Sequence, residues 1–376
     1  MAEWRPDDRD GLERLVADII AMFEKAERDL LRAVSTQAKA GLKTGDGPDV
    51  AFDLQQLRRD AQAIARTLEQ AMPDEVARII TIAAEGGVNA ALQELSGLAG
   101  VDDITATTLR PGAGAAAAMT ADLTSALDDV VRRVLRYPDD VYRTVIANSA
   151  HKVVLGHGTS LSAQQDAWNA LLRRGVTGFR DKAGRNWQMS TYVEMATRSA
   201  TRRAWDDAKV AAMQTNGINL VSVVVGSGSC AACARWSGKI LRTDGGPIGR
   251  ITVDAATGDA TVEVQVAGSL DDAKRHGWRH PNCRCSTVAY LPGLSVVTDI
   301  THYDPGVEAD RARLRDLERR VRRYKTQAAT SLNPRDVDFA KEKVRELQGQ
   351  IREHVATTGL MRQRRREQIN LDNRRV

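Results

Sequence analysis

All four cysteines of this 376-residue chain sit in two short clusters, CAAC at Cys230–Cys233 and HPNCRC at His280–Cys285. Any fold must account for that gathering across a 46-residue spacer. Zinc takes four soft or borderline ligands in a tetrahedron, usually as two short bites from separate parts of a chain. CAAC is one such bite, because two intervening residues let both sulfurs face one point. HPNC is a second, through His280 and Cys283, and Cys285 can replace His280 as fourth ligand. Cys230, Cys233, His280, Cys283 and Cys285 are therefore the candidate metal ligands, with structural zinc as the candidate cofactor. Other readings stay open. Four reduced cysteines can simply pack in a small β subdomain, with His280-Pro281 making a turn, or they can pair as disulfides. A redox CxxC follows a strand and starts a helix; Gly238 and Lys239 in CAACARWSGKIL argue against the helix.

Hydrophobic residues make up 42% of the chain and aromatics 4%. That length and apolar content suffice for two or three cores, and the Ala, Val and Leu bias favours helices. No apolar run approaches the eighteen or so residues of a membrane span. The charged start, MAEWRPDDRD, lacks the apolar block of a signal peptide. The expectation is a protein made and kept in a cytosol, where clustered thiols suggest metal more than disulfide.

Apolar spacing predicts a helix over 10–38, striped by Leu12, Leu15, Val16, Ile19, Phe23, Leu30, Leu31 and Val34. A turn at Lys43–Pro48 should end it. A second helix is expected over 52–72, and Pro73 should open a third, interrupted at Gly86-Gly87. Further helices are expected over 119–135, 138–155 and 161–174, the first pair broken at Tyr137-Pro138. Another is expected over 190–216, capped by Gly217. Strand character appears only at Leu220–Val225 and in Gly249–Val266, a hairpin turning at Thr257-Gly258-Asp259. From Gly306 the stripes Leu314, Leu317, Val321, Tyr324 and Val344, Leu347, Ile351, Val355 predict an antiparallel helical hairpin. The tail beyond it lacks apolar spacing and should extend or fray.

The fold class is thus α+β, mainly α. Long helices fill a module over 1–110, a helical region spans 111–218, a small β subdomain spans 219–300 and a basic helical arm spans 301–376. Charge divides the same way. Residues 311–376 hold 19 Lys plus Arg against 9 Asp plus Glu, net +10, which leaves net −5 in 1–310. Such an arm suits nucleic acid or an acidic protein surface, through Arg319, Arg320, Arg322, Arg323, Arg364, Arg365 and Arg366. A solvated hairpin rich in Arg is the plainer reading.

No catalytic signature emerges. His151, His157, His276, His302 and His354 are scattered, and Walker, HExxH and GxSxG motifs are absent. Asp206-Asp207 are adjacent on a helix, about 100° apart, and make a poor joint site. Arg198 lies on that helix, either as a surface ion-pair residue or as a buried tie to the cysteine-bearing centre. Trp187, Trp205, Trp236 and Trp278 are expected in the core.

Several segments together resemble the phage minor capsid proteins, which are related to the Mu F-like head-morphogenesis proteins. The run GFRDKAGRNWQMSTYVEMATRSATRRAWDDA (Gly178–Ala208), then a strand, CAACARWSGKI, HPNCRC and the stretch YKTQAATSLNPRDVDFAKEKVRELQ occur in the family's order. The resemblance covers roughly 140 to 370. It implies a low-copy, non-enzymatic virion protein of the head or portal vertex, with the portal protein, the major capsid protein and packaged DNA as partners and no membrane. Arg198, Cys230, Cys233, His280, Cys283 and Cys285 are the matching positions. The glutamate that often follows the family's Arg-Thr is absent here, where Arg198-Ser199-Ala200 stands. A competing hypothesis makes the cysteine centre a zinc- or thiol-dependent enzyme or effector carried in the virion.

Overall fold

The computed structural model describes residues 9–43, 54–96, 113–154, 179–180, 186–225, 229–281, 283, 285–297, 303–331 and 334–369. It is mainly α, with long helices and one small mixed sheet. The helices are α1 (Arg9–Lys43), α2 (Leu54–Ser96), α3 (Ala113–Val154), α4 (Met189–Thr215), the short α5 (Ala231–Ala234) and α6 (Leu270–Arg275), α7 (Pro305–Thr330) and α8 (Pro334–Thr358). No helix among the described residues is long and apolar enough to cross a membrane. The helix expected over 161–174 and the turn at 44–48 lie outside the described residues.

Two expected breaks do not occur. Helix α2 runs through Pro73, and α3 runs through Pro138. An interior proline loses one backbone bond and clashes with the preceding turn, at about 3 kcal/mol. The stripe it would interrupt outweighs that. Leu68, Met72, Val76, Ile79 and Ile80 keep one phase across Pro73 and are all buried, each contributing about 1.5–3 kcal/mol. Val134, Tyr137 and Val141 do the same across Pro138. Gly86-Gly87 does not interrupt α2 either. Gly87 lies where α4 passes so close that an added Cβ would stand 2.1 Å from the Trp205 carbonyl oxygen.

The chain gathers into two compact units, each drawn from three stretches. The first takes the described residues of Met1–Asp18, Pro73–Ser125 and Glu194–Glu308. It contains the sheet, whose strands β3 (Leu220–Val224), β4 (Ile240–Arg242), β5 (Gly249–Asp254), β6 (Thr261–Ser269) and β7 (Ser286–Ala289) lie in the order β5-β6-β4-β3-β7. β5 and β6 are the expected hairpin, with Gly258 at φ 83° in its turn. β4 and β7 were not anticipated, since three or four residues carry too little alternation. Helix α4 ends as expected: Gly217 adopts φ 77°, its N–H bonds Gln214 O, and Ile218 N–H reaches back to Met213 O, a Schellman closure. Leu95 of α2, Met213 of α4 and Val221, Val223, Trp236, Leu241 and Trp278 form the core on the sheet. Trp205 is buried as well, as expected.

The second unit takes the described residues of Ile19–Met72, Ala126–Val193 and Ala309–Val376. Here β1 (Phe179–Arg180) and β2 (Asn186–Trp187) form a small ladder. Trp187 is half-buried and packs edge-on against Tyr192. In the arm, α7 and α8 meet through Leu314, Leu317, Val321, Leu347 and Ile351, as the spacing predicts. His354 Nε2 lies 2.9 Å from Asp310 O, which sets the end of α8 beside the start of α7. The tail does not fray as expected. It returns through a 3-10 turn, Arg364–Glu367, in which Glu367 is buried and takes hydrogen bonds from Arg362 (2.6 and 2.7 Å) and Gln348 (3.0 Å). Charge-assisted bonds supply the order that apolar spacing could not signal.

Candidate functional site

The sheet brings the two cysteine clusters together. β3 pairs antiparallel with β7, with Val224 opposite Ser286. CAAC follows the end of β3 and HPNCRC leads directly into β7, so both fall at one end of the sheet. The 46-residue spacer carries β4, the β5–β6 hairpin and α6.

Cys230 is the N-cap of α5, and its carbonyl accepts the N–H groups of Cys233 and Ala234. This tight turn points both cysteine side chains one way. Cys230 Sγ lies 3.0 Å from His280 Nε2, and Cys233 Sγ lies 3.4 Å from Cys283 Sγ. All four cysteines are free thiols, which excludes the disulfide reading in this structure. The donor atoms form two overlapping triads, Cys230–Cys233–His280 and Cys233–Cys283–Cys285, each spanning no more than 4.8 Å and sharing Cys233. Three or four thiolates and an imidazole are the donors a soft or borderline cation selects. The cluster can hold a metal ion.

Hydrogen bonding polarises the sulfurs. Cys283 accepts from the Cys233 and Cys285 thiols and from the Cys285 peptide N–H, with His280 nearby, so its thiol sits far below the ordinary value. Cys233, as donor to Cys283 and Cys285 and partly buried, is pushed far above it.

Behind the cysteines lies a polar layer that the sequence reading missed. Arg279 precedes His280 and has φ 58°, the one non-glycine residue with positive φ among those described. A side chain held there costs roughly 1–2 kcal/mol. The turn lets its guanidinium stack on Trp278 at 4.4 Å and pair with Asp206 at 3.3 Å and Asp207 at 3.1 Å. The two adjacent carboxylates do point apart, but one long arginine reaches both. Asp206 is buried and also meets Arg202 at 3.4 Å. Burial raises its pKa, against the pull of Arg279 and Arg202. Arg202 donates to Cys285 O at 3.3 Å. Lys209 donates to Thr287 O at 2.9 Å and pairs with Glu94 at 2.5 Å, while Glu94 accepts the Ala289 N–H. The polar face of α4 thus holds Cys285 and β7 in place. Arg198 pairs with Glu194 on its own helix. The available signal was RRAWDDAKV itself, where charges recur at three- and four-residue spacing on a helix with few exposed positions.

The arm arginines divide. Arg319, Arg320 and Arg364 are exposed, and Arg319 pairs with Asp316 at 3.2 Å. Arg322 and Arg323 are half-buried; Arg322 donates to Arg366 O, and Arg323 stacks on Tyr324 at 4.9 Å. Arg366 faces Glu318 at 3.9 Å. The side chain of Arg365 lies outside the described ones.

Fold and site define a class: a mainly helical α+β protein whose small sheet is drawn together at one end by a Cys/His cluster able to hold a metal ion. The chain belongs to the phage minor capsid protein 2 family, whose model matches residues 8–356. Its role is accordingly structural and its place the virion. No curated protein and no solved structure matches it.

Proposed function

We propose that the protein docks at the portal vertex of the phage head and assists head assembly or the packaging and ejection of DNA, by contact and without catalysis. The major capsid protein and packaged DNA are the further partners, and assembly takes place in the host cytoplasm. The observation that carries this reading is the division of the arm into a buried stripe, Leu314 to Ile351, and an exposed basic side that includes Arg313, Arg315, Arg319, Arg320 and Arg352. Packing is satisfied within the hairpin, so this exposed side suits phosphates or an acidic protein face, although Arg319 also pairs with Asp316. The cysteine cluster serves as a structural zinc centre that holds the sheet for this docking role.

The DNA contact is tested by titrating the full chain with duplex DNA across a salt series. Log affinity should fall linearly with log salt, at about −0.9 per phosphate neutralised. Replacing Arg319, Arg320 and Arg364 together should reduce the slope by about 3. Binding that ignores salt, or no binding, removes DNA and leaves an acidic protein surface as the partner, measurable as capture by the portal protein.

A further inference from the structure

We propose that the ion is held by Cys230, Cys233, His280 and Cys283, and that Cys285 stands outside the ligand set as a positioning residue for Cys283. This rests on the reading of the cluster as a zinc centre and decides among its five donors. A four-coordinate zinc uses four of them.

The two short contacts between clusters join Cys230 to His280 at 3.0 Å and Cys233 to Cys283 at 3.4 Å. Zn–S near 2.3 Å and Zn–N near 2.0–2.1 Å place donor atoms of a tetrahedral site roughly 3.5–3.8 Å apart. Both contacts are within about 0.5 Å of that spacing; Cys233 is common to the two triads, so ligation brings Cys283 across toward Cys230 and His280. Each pairs one CAAC cysteine with one residue of HPNC, which makes two matched bites.

His280 is already oriented as a ligand. Its Nδ1 lies 2.8 Å from the Pro281 carbonyl oxygen. A proton on Nδ1 donated there leaves the Nε2 lone pair facing Cys230. This is the outer hydrogen bond that fixes the tautomer of metal-bound histidines.

Cys285 is oriented for another task. It is the residue before β7, with 4% of its surface exposed, and it packs in the core with Trp278 and Cys233. Its backbone is held from both sides: its carbonyl accepts from Arg202, and its N–H donates to Cys283 Sγ at 3.4 Å. An N–H donated to a thiolate sulfur offsets its charge and fixes its direction. The peptide N–H and the Cys285 thiol both serve Cys283 as donors, and a sulfur that donates to a ligand stands beside the ion and not on it.

The test is cobalt(II) substitution in the full-length chain, read by absorption spectroscopy and by native mass for stoichiometry. Three sulfurs and one nitrogen give d–d bands at shorter wavelength than four sulfurs, so the wild-type spectrum separates the sets before any residue is changed. The expected result is one cobalt per chain with the three-sulfur, one-nitrogen spectrum, unchanged in Cys285→Ser and Cys285→Ala. His280→Ala and Cys283→Ser should weaken binding by more than about 100-fold, since loss of an outer partner alone costs 10–100-fold. A four-sulfur spectrum in the wild type, or a spectrum altered by both Cys285 changes while His280→Ala or Cys283→Ser leaves it intact, overturns the assignment and keeps the metal. Failure of the wild type to take up cobalt or zinc removes the metal reading, and this assignment with it.

Discussion

In the arm, α7 and α8 join through a stripe of side chains that runs from Leu314 to Ile351, each contact repeating the last one turn further along. In the cysteine unit, β3, β7 and α4 join at single points: two sulfur–donor contacts, one arginine shared by Asp206 and Asp207, one lysine bridging Glu94 and Thr287. A stripe loses stability in proportion to what is removed from it. A set of buried point contacts fails as a group, because removing one partner strands the others away from water. The difference teaches where each unit is vulnerable.

The largest expected effect tests this on the polar layer. Asp206→Ala removes the buried carboxylate that faces both Arg202 and Arg279, leaving Arg279 to Asp207, and should destabilise the cysteine unit by about 3–5 kcal/mol. Hydrogen exchange should show β3, β7 and α6 losing protection together while α7 and α8 keep theirs. Leu347→Ala in the arm should cost about 2–5 kcal/mol, as for other buried leucines. Here the same experiment should show exchange rising along α7 and α8 only. A comparable loss in the sheet would break the comparison.

Gly87→Ala comes next. Alanine gains up to about 1 kcal/mol of helix propensity over glycine. The new Cβ would nevertheless stand 2.1 Å from backbone at Trp205, and overpacking of this kind costs about 1–3 kcal/mol. A lower thermal midpoint than wild type is expected, and a higher one would mean α2 and α4 have room to part.

The smallest effect concerns pH in the arm. Burial raises Glu318 above its ordinary value of 4.5, against the pull of Arg366 and Arg322. The folded chain therefore binds that proton more tightly, and stability falls as pH rises from 4.5 through the raised value. Glu367 runs the other way: burial pushes it up, but hydrogen bonds from Arg362 and Gln348 outweigh this and lower it. Its contribution is present above 4.5 and is lost as pH falls through the lowered value. Glu318→Gln should remove the first slope and change stability at neutral pH by less than about 1 kcal/mol. Unfolding measured across pH 4 to 7 would show whether the slope persists.

The same contrast explains what could be read from the chain. The arm was legible because its information is local: Leu314, Leu317 and Val321 announce a helix face by spacing alone. The cysteines announced a shared site by their chemistry, but not the strand that unites them. β7 is only Ser286–Ala289, and its register is set by β3, more than sixty residues earlier. Pro73 and Pro138 misled because a local rule competed with a continuous buried stripe and lost. Arg279 carries no local signal at all, since its turn and its partners exist only once α4 lies behind the sheet. The returning tail was missed for a related reason: Glu367 is ordered by Arg362 and Gln348, not by apolar spacing.

The proposed metal centre at the cysteine cluster should support one unit and not the other. Native-state hydrogen exchange on the full chain, with and without a strong chelator, tests it most directly. Zinc should be bound at one per chain, and its removal should release protection in β3, α5 and β7 while α7 and α8 are unchanged. Equal protection in all five elements before and after chelation, with no metal released, would contradict it.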